Sequence, residues 1–256
     1  MKWSDEYKVH YYYTDYNNIL KPGYIARYMQ ETAWNALKNW GPTPEYLKEN
    51  NLAFILTKIR FNYYEEIYED DIIKAETWAL PPKTLIFPRN YRIYKNDKIA
   101  VEAVSAWVLL NTKEKNIMRS DNYSDNTFMA YDDEELSFAV QRRFKMPDDM
   151  GGYSEYKVRC SDIDTNCHMN NVAYIDAICD NLYDGTDIIS GDLKKKPLSL
   201  ELHYNNEARF AQTIAINKGV ILCPDAENQG TKEYYMRGKT AGGEQNCFEA
   251  KIVLAL

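Results

Sequence analysis

The sequence has little histidine and no pair of cysteines at metal-binding spacing. It contains three histidines and five cysteines in 256 residues, with no CxxC pair and no histidine at ligand spacing from a cysteine. Structural zinc sites and disulfide frameworks need closely spaced ligands or an even set of cysteines, so neither is expected. The motifs GxGxxG, GxxxxGKS/T and HExxH are also missing. The sequence therefore predicts reduced thiols, no metal and no bound cofactor.

Long hydrophobic runs and a strong positive charge are missing as well. No apolar stretch approaches the roughly 20 residues that a helix needs to span a bilayer. The first fifteen residues, MKWSDEYKVHYYYTD, lack the apolar core of a signal peptide. A formal net charge of −7 argues against a broad nucleic-acid-binding surface, which needs a basic face. We therefore expect a cytoplasmic protein that binds neither membranes nor nucleic acids.

The remaining composition is that of a globular protein. Hydrophobic residues make up 45% and charged residues 27% of the chain, which is outside the range of disordered sequences. Tyrosine is abundant, at 22 residues, and suits half-buried strands and amphipathic binding walls. A chain of 256 residues forms one large domain or two of ordinary size.

A strongly signalled helix and several strands follow one another in the first half. In KPGYIARYMQETAWNALKNWG, Pro22 suits the first helical position and Gly41 the residue just past the end. Apolar residues recur there at helical spacing: Ile25, Tyr28, Met29, Ala33, Ala36, Leu37 and Trp40. Residues 54–64 and 71–80 resemble strands, and 89–111 resembles a hairpin that turns at KNDK. One helix followed by antiparallel strands predicts an α+β unit in which the sheet wraps the helix.

The second half repeats this order. The loop DTNCHMNN resembles the earlier loop DYNNILKP, and aligning the two pairs three positions: Asp15 with Asp164, Asn17 with Asn166, and Ile19 with His168. NNVAYIDAICDNLYDG then predicts a second helix that ends near Gly185. Its expected apolar face contains Val172, Ile175, Ile178, Cys179 and Leu182.

The strands repeat in the same way. Residues 197–222 parallel residues 54–80, and this alignment pairs Tyr63 with Tyr204 and Glu66 with Glu207. Residues 231–256 add a final hairpin around Gly242 and Gly243. Two copies of a helix followed by a sheet predict an internal duplication.

An acidic segment separates the two copies. It contains Pro147 and is followed by Gly151 and Gly152, which gives it the character of a linker. Three apolar residues indicate that it is docked rather than loose: Phe138, Val140 and Phe144. We predict an N-terminal domain over residues 1–130, a linker over 131–150 and a C-terminal domain over 151–256, with the boundary near residue 150.

The polar loop of the second copy carries a family resemblance. DIDTNCHMNNVAYID resembles the DxNxHxNNxxY segment of acyl-acyl-carrier-protein thioesterases, which end fatty-acid synthesis in plant plastids and have bacterial relatives. The resemblance covers nearly the whole chain, including LTKIRFNYYEEIYEDDIIKAETW and LSLELHYNNEA. It implies two tandem hot-dog folds, each a long helix wrapped by an antiparallel sheet, and thus the α+β class that the pattern predicts. It also implies hydrolysis of fatty acyl-acyl carrier protein to free fatty acid and carrier protein.

The resemblance places the family's catalytic residues on four positions of this chain: Asp164, Asn166, His168 and Glu207. Thioester hydrolysis needs an activated water and stabilisation of the developing oxyanion. Glu207 suits a general base, His168 and Asn166 suit groups that hold the water and carbonyl, and Asp164 suits an orienting group. The N-terminus of the second helix offers backbone N–H groups to the thioester oxygen, at Asn170, Asn171 and Val172.

One position departs from the plant enzymes of this family. They carry a cysteine directly after the matched glutamate, whereas this chain has Ala208. Because the four matched polar residues persist, we expect water to attack the thioester directly. Cys167 is a poor substitute nucleophile, because in an extended segment its side chain should point to the side opposite those of Asn166 and His168.

The two halves are expected to have different roles, catalysis in the second and binding of the acyl chain in the first. Single hot-dog domains usually dimerise and build sites at their interface, whereas a duplicated chain supplies both halves itself. Ile19 marks the first copy as the one whose site has decayed. Its apolar helix face, its aromatic strands and Trp78 are then available to hold an acyl chain.

Carrier protein is acidic, so the resemblance implies a positive rim for docking it. The densest basic runs supply the candidates: Lys194, Lys195 and Lys196, together with Arg142, Arg143 and Lys145. The expected partners are therefore acyl carrier protein and its acyl thioester, and a homodimer is possible.

Three alternatives are compatible with the sequence. An acyl-CoA thioesterase on the same scaffold would need only a small phosphate site. A dehydratase or hydratase would also use a histidine and a carboxylate, although DxNxHxNN with a separate Glu207 resembles thioesterases more closely. A non-catalytic acyl-ligand sensor should carry a DNA-binding helix pair, for which the two repeats leave no room.

Overall fold

The computed structural model describes residues 1–123, 128–182, 197–223, 230–242 and 245–255. The chain divides into two compact units, Met1–Val140 and Gln141–Leu256. The division falls inside the segment predicted as a linker and upstream of the boundary predicted near residue 150. Within the described ranges, no helix combines the length and apolarity that crossing a membrane requires.

Unit 1 is an antiparallel sheet with one long helix. Its elements are β1 (Trp3–Lys8), α1 (Pro22–Trp40), α2 (Pro44–Glu49), β2 (Leu52–Tyr63), β3 (Ile72–Ala79), β4 (Phe87–Lys95), β5 (Lys98–Asn111) and β6 (Asn116–Ile117). The strands are ordered β1-β3-β4-β5-β2, and β6 pairs with β5. Every strand pair in this unit is antiparallel.

The predicted bounds of α1 are confirmed, because Pro22 is its first residue and Gly41 its C-cap. The helix packs against β1 and β3. Its buried face includes a polar residue that the apolar pattern did not predict: Thr32, whose hydroxyl lies 3.1 Å from that of Tyr7 on β1. This pair places the Tyr7 face of the sheet against the helix.

The predicted hairpin of β4 and β5 is also confirmed. Its two central turn residues, Asn96 and Asp97, have φ angles of 49° and 60°. Both values lie in the left-handed region that asparagine and aspartate tolerate best after glycine, as a two-residue hairpin turn requires. Strand β1 was not predicted from the sequence, because its alternating WSDEYK is short and rich in charge.

Unit 2 repeats the architecture with a shorter helix. Its elements are β7 (Gly152–Lys157), α3 (Asn171–Asp180), β8 (Pro197–Tyr204), β9 (Thr213–Cys223), β10 (Thr231–Thr240) and β11 (Asn246–Ala255). The strands are ordered β8-β11-β10-β9-β7, with antiparallel pairing throughout.

The predicted end of the second helix, near Gly185, is wrong. The helix ends at Asp180, and the Asn181 side chain donates a hydrogen bond of 2.7 Å to the Ala177 carbonyl. Asparagine commonly ends helices because its side chain competes for backbone partners. Gly185 itself lies outside the described residues.

Residues 132–134 pack on one face of the unit 1 sheet, where they contact the Trp78 side chain. The Trp78 indole N–H donates to the Glu134 carbonyl at 2.7 Å. Tyr7 contacts α1, and its partner across the β1–β3 pair is Ile73, so the Ile73 side chain lies on the same face of the sheet as the helix. Side chains alternate along a strand, and Trp78 is five positions from Ile73. Trp78 therefore points to the opposite face of the sheet. Trp78, which the sequence indicates as available, with the helix face, to hold an acyl chain, thus lies on the sheet face opposite the helix and anchors the chain after that unit's last strand.

Residues 141–144 are fastened to unit 2 by a different set of contacts. The Gln141 N–H donates to Glu201 Oε1 at 2.5 Å, and the same oxygen lies 2.9 Å from His203 Nε2. The Phe144 ring stacks on the His203 ring with 4.1 Å between centroids. The prediction that Phe144 docks this segment is confirmed, and its partner is a buried Glu201–His203 pair.

Candidate active site

The loop at residues 164–168 is a hydrogen-bonded turn. The Asn166 N–H donates to Asp164 Oδ1 at 2.8 Å, and the Asp164 N–H donates to the His168 carbonyl at 3.0 Å. Aspartate favours such turns because its side chain reaches its own backbone two residues on. Cys167 has a φ of 63°, so the segment turns there, and the prediction of an extended backbone at this residue is wrong.

Two of the three backbone N–H groups predicted to stabilise an oxyanion at the start of α3 already donate hydrogen bonds within the protein. Asn170 is the N-cap, and its Oδ1 accepts from the Val172 N–H at 2.9 Å. The Asn170 N–H donates to the Asp162 carbonyl at 2.8 Å. Of the three candidates, the Asn171 N–H is the one that has no acceptor among the described residues.

Glu207 is held next to this loop by its neighbours. Ala208 is fully buried, its carbonyl accepts from the Met169 N–H at 2.8 Å, and its own N–H donates to the Tyr174 hydroxyl at 2.9 Å. The Tyr204 hydroxyl, at the end of β8, donates to the Asn171 carbonyl at 2.9 Å. These bonds tie the end of β8 to the start of α3.

His168 lies between two carboxylates. Its Nδ1 is 3.8 Å from Asp164 Oδ1, and its Nε2 is 3.8 Å from Glu207 Oε1. Both separations exceed a direct hydrogen bond, and catalytic hydrogen bonds commonly tighten only when substrate binds. The Glu207 side chain is 54% exposed, whereas those of His168 and Asp164 are 20% and 19% exposed. Unit 2 alone therefore brings three of the four predicted side chains together.

The fourth predicted residue, Asn166, is exposed at the tip of the turn. Its amide nitrogen is 3.5 Å from Asp164 Oδ2, at the limit of a hydrogen bond. Asp164 thus accepts from the backbone and side chain of Asn166, and its orientation is fixed by the loop.

Tyr174 is a site residue to which the sequence assigned no role. It occupies the last position of the DxNxHxNNxxY segment, and this motif position was the sequence signal that could have identified it as a site residue. Its ring meets those of Tyr204 and Phe248 edge to face, with centroids 5.5 and 5.9 Å away. Burial, with a smaller contribution from nearby negative charge, raises the pKa of its hydroxyl above the usual value, so the phenol is protonated at neutral pH.

Unit 1 contains the same loop backbone without the histidine. The Asn17 N–H donates to Asp15 Oδ1 at 2.8 Å, and the Asp15 N–H donates to the Ile19 carbonyl at 2.8 Å. Asn18 has a φ of 64°, matching Cys167. The Leu20 N–H donates to the Ile67 carbonyl at 2.8 Å, as Met169 does to Ala208.

The carboxylate of unit 1 that matches Glu207 is engaged elsewhere. Glu66 accepts a hydrogen bond from the Tyr68 hydroxyl, and Ile19 offers it no polar atom. The first copy therefore retains the turn and the glutamate but lacks the histidine between them.

The predicted carrier-binding residues are only partly within the described chain. Arg142 and Arg143 are exposed, as is Lys145, on either side of the buried Phe144. Lys194, Lys195 and Lys196 lie outside the described residues.

Each unit is thus a hot-dog fold, a sheet with one principal helix, and the second unit carries a histidine between carboxylates at the start of its helix. The family model for the acyl-ACP thioesterase N-terminal domain matches residues 1–124, and that for the acyl-ACP thioesterase C-terminal domain matches residues 146–252. The chain belongs to the acyl-acyl-carrier-protein thioesterase family.

Two plant relatives illustrate the sequence similarity. The chain is 26% identical over 165 residues to a chloroplastic palmitoyl-acyl carrier protein thioesterase of Arabidopsis thaliana, covering 59% of this chain and 40% of the relative. It is 20% identical over 199 residues to a chloroplastic oleoyl-acyl carrier protein thioesterase of Coriandrum sativum, covering 71% and 54%. The chain spans about half the length of the curated relatives it matches.

Solved structures share the fold along nearly the whole chain. An acyl-ACP thioesterase from Bacteroides thetaiotaomicron has a TM-score of 0.84 at 20% identity, covering 99% of this chain and 97% of that one. A 12:0-ACP thioesterase from Umbellularia californica has a TM-score of 0.81 at 15% identity, covering 99% and 93%.

Proposed function

We propose that this protein hydrolyses fatty acyl-acyl carrier protein to free fatty acid and carrier protein, by direct attack of water. The observation that carries the proposal is His168, held 3.8 Å from both Asp164 and Glu207 in a chain of this family. Relatives named as acyl carrier protein thioesterases support the substrate class.

In the proposed reaction, Glu207 accepts a proton from the attacking water. The water oxygen bonds to the thioester carbonyl carbon, and negative charge moves onto the carbonyl oxygen. The Asn171 N–H, at the positive end of α3, is the donor proposed for that oxygen. Collapse of the tetrahedral intermediate breaks the carbon–sulfur bond, and the proton that Glu207 took from the water passes to the leaving thiolate, which restores the carboxylate.

His168 is proposed to hold the water between itself and Glu207. Its Nε2 faces Glu207 Oε1 across 3.8 Å, and its Nδ1 faces Asp164. Asp164 accepts backbone and side-chain hydrogen bonds from Asn166, so its proposed role is to orient the loop and the imidazole. Glu207, the most exposed of the three side chains, is the one that meets solvent water.

For two of the five cysteines, Cys179 and Cys247, the surroundings of the thiol disfavour a role as nucleophile. Ala208 occupies the position of the plant cysteine and is fully buried. Burial raises the pKa of the Cys179 thiol to about 12 and that of Cys247 above its ordinary value. Both thiols are therefore protonated at neutral pH, and a protonated thiol is a weak nucleophile.

Unit 1 is proposed to bind the acyl chain. It contains an apolar cluster of four buried residues: Leu47, Leu52, Phe87 and Leu109. Partly buried apolar residues pack against the cluster: Leu37, Phe54, Trp107, Met118, Tyr123 and Phe128. Such a wall suits an alkyl chain, because its burial gains free energy with each methylene, about 0.8 kcal/mol.

The test is hydrolysis by the purified protein of acyl-acyl carrier proteins of graded chain length, with release of free fatty acid as the readout. Matched acyl-CoA substrates and the His168→Ala variant are the controls. We expect turnover of acyl-acyl carrier protein that is lost in His168→Ala. Faster turnover of acyl-CoA would favour the coenzyme A alternative, and turnover of neither would contradict the proposal.

A further inference from the structure

Tyr174 connects α3 to the loop that carries Glu207. Its hydroxyl accepts the N–H of Ala208, the residue after Glu207, at 2.9 Å. The Ala208 carbonyl is held by the Met169 N–H, and Met169 directly follows His168. The two bonds at Ala208 therefore fix the backbone beside Glu207 relative to the backbone beside His168.

The Tyr174 ring has little freedom to adopt another position. It is buried and meets two aromatic rings edge to face, those of Tyr204 and Phe248. Edge-to-face pairs of this kind add specific geometry to apolar burial. The hydroxyl is thus presented to Ala208 by a rigid side chain.

Unit 1 shows that the fold does not need this hydroxyl. The offset that pairs Asp15 with Asp164 places Ile25 opposite Tyr174, and Ile25 accepts no hydrogen bond through its side chain. The backbone bond is nevertheless kept, from Leu20 to the Ile67 carbonyl at 2.8 Å. The same turn is therefore built with isoleucine in the copy that lacks the histidine.

We propose that Tyr174 is a positioning residue of the active site, whose hydroxyl holds the backbone at Ala208 and so sets the separation of Glu207 from His168. The proposal rests on the proposed hydrolytic function of these residues. It assigns the hydroxyl to catalysis rather than to folding, because the duplicated unit dispenses with it.

Loss of the hydroxyl should act on turnover more than on substrate binding. In Tyr174→Phe the ring contacts stay, but the buried Ala208 N–H loses its acceptor and the Glu207 loop is freed to shift. A misplacement of about 1 Å in a reacting group can cost a factor of about 10² in rate. We expect kcat to fall about 10- to 100-fold while KM stays within about twofold.

The experiment compares Tyr174→Phe with Tyr235→Phe. The control removes a hydroxyl that donates to Glu233 at 2.7 Å on β10, away from the histidine and its carboxylates, and should leave kcat unchanged. Amide hydrogen exchange is measured in parallel. The Ala208 N–H should exchange faster in Tyr174→Phe, whereas the Asn170 N–H, which donates to the Asp162 carbonyl, should stay protected. If Tyr174→Phe does not fold, 4-aminophenylalanine at position 174 keeps a polar atom there while offering a much weaker acceptor, and the same results are expected.

A folded Tyr174→Phe variant that keeps kcat within twofold of the parent would overturn the proposal. Unchanged exchange at Ala208 would overturn it too. If the parent protein itself hydrolyses no acyl thioester, the proposed function fails, and the exchange rates at Ala208 still decide whether Tyr174 holds this backbone.

Discussion

At the scale of single residues, the two carboxylates of the candidate site, Asp164 and Glu207, differ in the hydrogen bonds that they already accept. Asp164 accepts from the backbone and side chain of Asn166, so its charge is partly used in shaping the loop. Glu207 is 54% exposed and faces His168. A carboxylate with free lone pairs and access to water is the better general base, which is why the proposed roles differ between two chemically similar groups.

We expect Glu207→Ala and His168→Ala each to lower kcat by a factor of about 10² to 10⁴, the usual contribution of a general acid–base group. The measurement is steady-state release of free fatty acid, with circular dichroism to show that each variant is folded. Near-parental turnover in both folded variants would remove these residues from the mechanism.

We expect Ala208→Cys to form no acyl-enzyme and to lower the free energy of unfolding by about 1–3 kcal/mol, because overpacking a buried position strains its neighbours. Ala208 is fully buried and both its backbone groups are hydrogen-bonded. Mass spectrometry of the quenched reaction and urea unfolding are the measurements. Arg209→Cys, at the exposed next position, is the control and should change stability by less than about 0.5 kcal/mol. An acyl adduct on the thiol at position 208 would contradict direct water attack in that variant, and one on Cys167 in the parent would contradict it altogether.

At the scale of elements, α3 depends on its N-cap more than α1 does. Asn170 caps α3 with its side chain, whereas Lys21 at the matching position of α1 makes no side-chain cap and is followed by Pro22. Proline at the first helical position fixes a helical φ and has no N–H to satisfy. Unit 2 therefore starts its helix with a side-chain hydrogen bond, and unit 1 starts its helix with a fixed backbone.

We expect Asn170→Ala to lower the free energy of unfolding by about 1 kcal/mol, the usual cost of losing an N-cap. Asn170→Asp keeps an oxygen that accepts from the Val172 N–H and should stay within about 0.5 kcal/mol of the parent. Urea unfolding monitored by circular dichroism compares the two. Equal losses in both variants would mean that the amide nitrogen of Asn170, and not its oxygen, supports the helix.

The segment at 142–145 carries three exposed basic residues that are candidates for docking an acidic partner: Arg142, Arg143 and Lys145. Phe144 is anchored on His203, and neither Arg143 nor Lys145 has an acidic partner among the described residues. Exposed charges are screened over roughly 8 Å at physiological salt, so docking through them should weaken as salt rises.

We expect the double reversal Arg143→Glu with Lys145→Glu to raise KM for acyl-acyl carrier protein by about 3- to 10-fold and to leave KM for a small acyl thioester unchanged, because rim charges act mainly on association. Lys113→Glu, at an exposed position of unit 1, is the control. Equal effects on both substrates would show that the segment supports the fold instead. If neither KM changes, reversal of Lys194, Lys195 and Lys196 is the next test.

The sequence predicted elements whose signals are local. Pro22 and Gly41 bound α1, and the KNDK turn defines the β4–β5 hairpin, because each relies on backbone preferences of a few residues. The duplication followed from matching two segments of one chain, whereas the set Asp164, His168 and Glu207 followed from the resemblance of the second loop and of LSLELHYNNEA to a family's motifs.

The features that the sequence did not predict depend on contacts distant along the chain. The Trp78 indole donates to a carbonyl 56 positions away, and the role of Tyr174 depends on a partner 34 positions away. Strand β7, like β1, lies at a sheet edge and carries alternating polar residues, so periodicity does not distinguish it from a loop. The end of α3 was overestimated because apolar spacing continues to Leu182, which is buried beyond the helix.

At the scale of the whole molecule, two copies of one unit have kept their backbone and changed their side chains. Both loops form the same turn, and both place the residue after the glutamate in the same backbone bond. Ile19 and Ile25 stand where the second copy has His168 and Tyr174. A shared backbone with altered side chains fits a turn that serves the fold in both units and polar groups whose proposed role is confined to unit 2.

We expect Glu66→Ala to leave kcat within about twofold of the parent, in contrast to Glu207→Ala at the matching position. Glu66 is bound by Tyr68 and has Ile19 where a histidine would be needed, so it lacks the paired geometry of a hydrolytic site. The same fatty-acid release assay compares the two variants. A loss in Glu66→Ala as large as that in Glu207→Ala, with stability preserved, would mean that both copies take part in catalysis.

The matched loops also bear on how such a chain can change over generations. When identical subunits come from one coding sequence, a substitution appears in every subunit at once, and losing a histidine removes it from all of them. Here codons 19 and 168 mutate independently, so one copy can acquire isoleucine while the other keeps its histidine. Because the turn at Asp15 survives that exchange, the first loop is open to further substitution without loss of the fold. Under the proposed division of labour, variation in the acyl chains that such a protein accepts can accumulate in one half of its coding sequence while the other half stays under selection for turnover.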